Sequence, residues 1–445
     1  MRMRRVLSVA ATLLVGWWLF ADTVRYYRGR PDDDAIRFAH FGTYQDYATW
    51  KRLIAAFERG HPGIQVTQEY VAGWYGLYDT KMRQQILAGT LPDVLLVSLG
   101  SFAQVADAFA DLSLTDGEPP SATRTPTGEF DAVALDAFLL DGVQRAWPVS
   151  GGNLMIYCNT ACFDRAADFR GEPLPLPNDD WTMADFRRTA RALTCDFDGD
   201  GETDQFGFWQ PRWVYYLPFL SSFGAEVLDE TETDWRLTGP AAEAAFQFYQ
   251  DLKLRDRSCP RPQDMAQIVQ DVGFLTGKVG MCVNGPWFMP FLRETQLWDQ
   301  TYLVAPPRGP GGRATRITWD GIAVAASSAG VRGDHARQFV RFVCSQTGQE
   351  MLAETQRALP ARLSAISAFL RADGGTRSAK FVEALSYSRL QPQTPYFQEM
   401  DYAINRHLRG LLDEQHPITV DEFLANLSQD DVIVRRFSSP VESTP

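Results

Sequence analysis

Residues 55–97 read AAFERGHPGIQVTQEYVAGWYGLYDTKMRQQILAGTLPDVLLV. The turn His61-Pro62-Gly63 closes an amphipathic stretch over 47–59 in which Trp50, Leu53, Ile54 and Phe57 recur at helical spacing. A strand over 64–71 follows, then a helix over 77–88, then Gly89-Thr90-Leu91-Pro92 and an apolar strand over 93–98. Upstream, IRFAHF at 36–41 reads as one more strand. Strands separated by helices of this length predict a parallel or mixed α/β sheet. Ligands of such sheets sit at the open end, where strands run into helix starts.

The alternation continues on both sides of a polar, Pro/Gly-rich loop over 115–130. AWPVSGGNLMIYCN at 146–159 gives a turn and an apolar strand, and opens a second region that runs to about residue 300. That region holds helices over 183–193 and 241–252 and a strand over 279–283. A third region, about 302–360, has strands at 303–305 and 322–326 and a helix at 334–345. The C-terminal part reads as helical, most clearly at 378–386, 396–412 and 420–426. The chain contains no internal repeat.

At 445 residues the chain is long enough for two or three domains at roughly 150 residues each. Its 45% apolar and 22% charged residues are those of a globular protein. With 43 basic against 55 acidic residues the net charge is −12, which repels phosphate backbones and sets nucleic acid aside as a partner. Three arginines lie within Met1–Arg5, and an uncharged apolar run over 6–21 follows them, the pattern of an export signal. A cleaved signal and a retained anchor in the inner membrane both stay open, and no cysteine follows the run to carry a lipid. The six cysteines (158, 162, 195, 259, 282 and 344) fit an oxidising compartment without fixing a pairing.

Two features point to chemistry. The first is DFDGDGETD at 196–204, which alternates Asp196, Asp198, Asp200, Glu202 and Asp204 with glycine at its sixth place. That spacing can wrap a hard cation, so the expected cofactor is a structural Ca2+. Position 12 is Gly207 where an EF-hand carries a bidentate Glu, and the competing reading is an Asp/Gly turn. The second is a set of aromatic clusters beside turns: Trp74-Tyr75, Trp209 with Trp213, Gly285-Pro286-Trp287-Phe288 and Trp319-Asp320. Flat sugar faces pack on such rings while nearby polar groups hydrogen-bond hydroxyls. The sequence has no Gly-x-Ser-x-Gly elbow, no phosphate-cradling Gly-x-x-x-x-Gly-Lys and no His-Glu-x-x-His.

The run at 55–97, with GGNLMIYCNTACFDRA (151–166), WTMADFRRTARALTCDFDGDGETDQFGF (181–208), GKVGMCVNGPW (277–287) and DGIAVAASSAGVRGDHARQFVRFVCSQTGQ (320–349), resembles the extracellular solute-binding proteins (family 1) of ABC-type carbohydrate importers. The likeness spans nearly the whole chain from about residue 35. It implies an α/β, two-lobe periplasmic-binding-protein fold of type II-like form, with multiple hinge crossings and a helical C-terminal part. Crossings are expected near 146–150, 302–307 and 359–362. The expected organisation is a signal or anchor over 1–30, a first lobe from 31–147 and 305–360, and a second lobe from 148–304 and 361–445.

Carried over residue by residue, the resemblance implies a cleft walled by Thr43, Tyr44, Gln45, Trp74 and Ser98 from the first lobe. From the second lobe come Asn153, Trp209, Trp213, Asn284, Gly285 and Trp287, and Trp319, Asp320 and Arg362 line the returning segment. The implied ligand is a sugar, an oligosaccharide or a related polyol or glycerol phosphodiester. The implied partner is the membrane permease of an ABC importer, served by a monomeric, non-enzymatic periplasmic receptor. Two other classes stay open at this level: a membrane-tethered ligand sensor and a secreted carbohydrate-active enzyme. Cys158 and Cys162 stand where relatives carry Tyr and Leu, which leaves a disulfide there open.

Overall fold

The structure is a computed structural model describing residues 35–73, 75–113, 129–209, 212–260 and 272–437. The export segment and Trp74 lie outside the described residues.

The first strand, β1 (Ile36–Gly42), is buried along almost its whole length because it runs parallel between β2 (Val66–Ala72) and β3 (Val94–Ser98). Helix Tyr44–Gly60 follows β1 directly. Its N-terminus is closed by a capping box, with the Thr43 side chain on the Asp46 backbone and the Asp46 carboxylate on the Thr43 backbone. Trp50, Leu53, Ile54 and Phe57 form its buried stripe, as their spacing predicts. A short hairpin, β4 (Leu139–Leu140) and β5 (Val143–Gln144), precedes β6 (Trp147–Asn153). The longest strand, β11 (Thr315–Val324), is buried at every position and runs antiparallel to both β3 and β6. With β12 (Leu359–Pro360) and β13 (Ser388–Leu390) these make a seven-stranded mixed sheet in the order β12-β6-β11-β3-β1-β2, β13 pairing with β11. This is the larger lobe.

The smaller lobe is built on the order β10-β7-β9-β8, from β7 (Met155–Asn159), β8 (Phe206–Trp209), β9 (Val279–Asn284) and β10 (Thr301–Val304). Successive residues of β7 alternate between its two faces. Ile156 and Cys158 join one core with helices Met183–Leu193 and Gly239–Gln250, and Met155 and Tyr157 join another with Phe288, Leu303 and Phe381. A strand buried on both faces reads as a continuous apolar run. The C-terminal helices Phe397–Leu411 and Val420–Ser428 pack into the first of these cores.

The stretch over 146–159 is therefore two strands in two sheets, with the chain crossing between lobes at Leu154. The crossing falls several residues beyond the expected 146–150, and the expected boundary at residue 148 lies inside β6. The Leu154 backbone is held from both sides by the second crossing: its N–H donates to Thr315 Oγ1 (3.1 Å), and that hydroxyl donates back to the Leu154 carbonyl (2.6 Å). The two connections are thus tied at one point, which is where a hinge belongs. All six cysteines are buried free thiols, so Cys158 and Cys162 form no disulfide. Their setting is a strand end followed by a helix face. Among the described residues no helix is long and apolar enough to cross a membrane.

Candidate functional site

The C-terminal ends of β1 and β3 open into a cleft between the lobes of about 740 Å³ including its mouth. From the larger lobe it is lined by Phe41, Thr43, Gln45, Asp46 and Trp50 around the start of helix Tyr44–Gly60. Leu96, Ser150 and Asp320 contribute from β3, β6 and β11, and Thr355 and Arg357 from the turn before β12. The facing wall is Trp287, Pro290 and Phe291. Asp320 sits at an irregularity in the β11–β6 pairing, between Asp320 and Gly321. Bulges of this kind turn a side chain out of a sheet's regular alternation.

Trp287 is seated with little freedom. A Cβ on Gly152 of β6 would lie 2.8 Å from its ring and 2.9 Å from the Pro286 ring, and one on Gly285 would strike the indole harder still. The preceding Gly151 faces the other side of β6, where Trp319 covers it. The Gly151-Gly152 pair thus admits one tryptophan on each face. Trp319 is 1% exposed and belongs to the core of the larger lobe, while Trp287 is half-buried at the cleft.

Asp46 does double duty at the cleft. One carboxylate oxygen accepts from Thr43 N (2.6 Å) and Thr43 Oγ1 (2.8 Å), and the other is ion-paired with Arg357. At the mouth, Gln45 Nε2 crosses the gap to donate to Glu294 Oε1 (2.9 Å) and Oε2 (3.1 Å). Behind this wall His40 is fully buried. Burial holds its pKa down at about 4, against the pull of the Phe41 carbonyl and Asp46. Gln68 Nε2 lies 2.7 Å from its Nε2, and its Nδ1 faces the Phe41 carbonyl at 3.2 Å, the arrangement of a neutral ring protonated on Nδ1.

Of the expected cleft residues, Thr43, Gln45, Trp287 and Asp320 line the cavity together. Tyr44 is 75% exposed outside it, its ring stacked on Tyr47. Ser98 is buried against Ser101 (2.9 Å), and Asn153 donates to the Phe381 carbonyl (2.8 Å). Trp209 packs with Phe206 and Val279, and Trp213 lies in a core of the smaller lobe with its indole N–H on Asp401 (2.6 Å). Asn284 accepts from Gly285 N (2.9 Å), and the Gly285 carbonyl accepts from Tyr157 Oη (2.7 Å). Arg362 is ion-paired with Glu129 and lies over Phe130. Asp46 and Arg357 were missed. Asp46 stands three residues after Thr43, a spacing that suits a capping box and does not mark a ligand site, and nothing in TQRALP marks Arg357. Pro290 and Phe291 continue the same aromatic run as Trp287 and could have been taken with it.

In the acidic loop, Asp196, Asp198 and Asp204 bring carboxylate oxygens within 4.8 Å of one another. Asp200 and Glu202 do not join them. The loop is closed by the Cys195–Gln205 backbone pair, and Asp196 accepts from Gly199 N (2.7 Å) and Gly201 N (2.9 Å). The Gly201 N–H is the main cause holding the Asp196 carboxyl below its usual range. Asp198 accepts from Asp200 N (3.1 Å) and Asp204 from Phe197 N (2.8 Å), and the three clustered carboxylates together make a donor set of hard oxygens.

Residues 42–350 match the family model described as bacterial extracellular solute-binding protein. No curated protein sequence matches the chain. Among solved structures, the chain is similar to an ABC substrate-binding protein from Listeria monocytogenes in complex with cycloalternan (TM-score 0.78, 21% identity, 90% of this chain and 98% of that one). It is similar also to the GacH receptor of Streptomyces glaucescens, known unliganded and with acarbose (TM-score 0.75, 20% identity, 91% and 98%). A third is maltose-bound MalE3 of T. maritima (TM-score 0.72, 20% identity, 88% and 98%). At these identities the likeness establishes the two-lobe fold.

Proposed function

The chain belongs to the bacterial extracellular solute-binding proteins, and we propose that it captures a sugar or oligosaccharide between its lobes and delivers it to an ABC importer. The observation that carries this reading is the cleft itself. One wall comes from the strand ends of the larger sheet and the other from the Trp287–Phe291 turn of the smaller lobe. A ligand touching both walls stabilises the closed arrangement over the open one, and closure is what a permease can read. Trp287 would supply a flat apolar face for a sugar ring, and Asp320, Thr43 and Gln45 bring polar groups to the same cavity for its hydroxyls. The similar structures bound to cycloalternan, acarbose and maltose support the same ligand class.

A thermal-shift panel of mono-, di- and oligosaccharides tests this. A ligand at 100 times its dissociation constant stabilises a protein by about 2.7 kcal/mol. The expected result is a saturable, one-to-one hit with no product formed. Turnover of the hit would replace the receptor reading with an enzymatic one.

Two subsidiary proposals go with it. The basic start and apolar run over 6–21 support export to the periplasm, with the mature receptor working as a monomer; N-terminal sequencing of the exported protein checks the first part. Asp196, Asp198 and Asp204 support a structural Ca2+ clip between helix Met183–Leu193 and β8. Adding a chelator to the native protein should lower its melting temperature while ligand binding persists. An unchanged melting temperature returns the loop to a plain Asp/Gly turn.

A further inference from the structure

The charges in the cleft bear on which solutes it accepts. Among the described lining residues Arg357 is the single cation, and it is already ion-paired with Asp46. The other oxygen of that carboxylate takes the N–H and hydroxyl of Thr43 at the start of helix Tyr44–Gly60. A guanidinium fork and a helix N-terminus are the two features that seat a phosphate or carboxylate. Here the chain's own Asp46 takes Nε of the guanidinium with one oxygen and the N-cap N–H and hydroxyl of Thr43 with the other. Asp46 is 6% exposed, so an incoming anion that displaced it would leave a buried carboxylate without its cation, a strongly unfavourable exchange. Asp320 lines the same space, and Glu294 stands at the mouth on Gln45. An anionic solute would therefore approach two further carboxylates while finding the one cation engaged. A neutral hydroxyl-bearing solute meets no such barrier, and carboxylates accept readily from hydroxyls.

We infer that the cleft selects uncharged, hydroxyl-rich solutes and rejects those carrying phosphate, phosphodiester or carboxylate groups, with Asp46 the residue that closes the anion seat. This rests on the sugar-binding reading above and narrows it, removing the glycerol phosphodiesters that the sequence left open.

The test is calorimetric titration of the full chain with matched pairs: maltose against maltose 1-phosphate, and glycerol against glycerol 3-phosphate, alongside any neutral hit from the thermal-shift panel and its phosphorylated form. The expected result is at least hundredfold tighter binding of the neutral member of every pair that binds. Equal or tighter binding of an anionic member overturns the inference while leaving the solute-binding reading intact. Silence towards both classes overturns the sugar-binding reading, and the inference with it. Asp46→Asn should raise affinity for the anionic member at least tenfold, since it keeps a capping oxygen but releases Arg357. Asp320→Asn, which touches no helix cap, should raise it in the same direction should the first variant fail to fold. Unchanged discrimination in both folded variants removes these carboxylates as its cause.

Discussion

Trp287 and Trp213 illustrate what one residue's identity can and cannot tell. Both are tryptophans beside turns, and both were expected on the cleft wall. Trp287 lies on Gly152 and faces the cavity, whereas Trp213 is 1% exposed with its N–H satisfied by Asp401. Nothing local in the sequence separates these cases, because the partner that buries Trp213 is a helix almost two hundred residues away. Trp287→Ala should weaken binding of a neutral sugar at least tenfold with the fold retained, measured by titration. Trp213→Ala should instead cost about 3–5 kcal/mol of stability through the cavity it leaves, measured by denaturant unfolding.

Two buried titratable groups oppose each other at this scale. Burial raises Asp79 to about 6, against the pull of Ser101, Arg83 and Gln398. Its folded pKa exceeds its unfolded one, so its term favours the fold at low pH and is lost as pH rises from about 4 through 6. His40 is depressed to about 4, so its term is lost as pH falls from about 6.5 to 4. Each shift corresponds to roughly 3 kcal/mol. The two terms have opposite signs and similar size, so this pair adds little net slope across that window. Asp79→Asn should stabilise the protein at pH 7 and uncover the His40 term, so that the variant alone loses stability between pH 6.5 and 4. A parallel pH profile for both proteins would contradict this.

At the scale of elements, regular structure was legible wherever burial imposed one period. The run at 93–98 became β3, buried throughout, and the stripe from Trp50 to Phe57 became one helix face. The run at 146–159 was read as a turn followed by one strand because Pro148 and Ser150-Gly151-Gly152 interrupt its apolar character. Only the change of sheet at Leu154 shows that it is two, and that depends on Thr315 reaching back from the second crossing. Thr315→Val keeps the shape and orphans both polar groups of Leu154, with an expected cost of about 1–3 kcal/mol and a looser hinge. The Gly151-Gly152 pair offers a sharper contrast, since adjacent residues of a strand face opposite sides. Gly151→Ala drives a methyl into buried Trp319 and should cost about 1–3 kcal/mol with ligand affinity retained. Gly152→Ala displaces Trp287 and should weaken binding at least tenfold with a smaller stability loss. Reversed outcomes would exchange the roles assigned to the two faces.

Across the whole molecule, the alternation of strands and helices was enough to reach two α/β lobes, but the line between them was not. Lobe membership is decided by which strand pairs with which, and β6 gives no local sign that it belongs beside β11. The cleft was legible in the same uneven way. Thr43, Gln45 and Trp287 follow strand ends or an aromatic turn, and Asp320 stands beside Trp319 within β11, while Asp46 and Arg357 meet only in the folded chain. The consequence that matters for function is mechanical: two lobes joined at Leu154 and Thr315, with Gln45 and Glu294 touching across the opening. The most direct measurement is the distance between spin labels on either side of that opening, at Lys51→Cys and Gln296→Cys. Both positions are exposed, and the six native thiols are buried. A saturating neutral sugar should shorten and narrow the distance distribution relative to the free protein. Stoichiometric binding of the sugar with the distribution unchanged would contradict capture by closure of the two lobes.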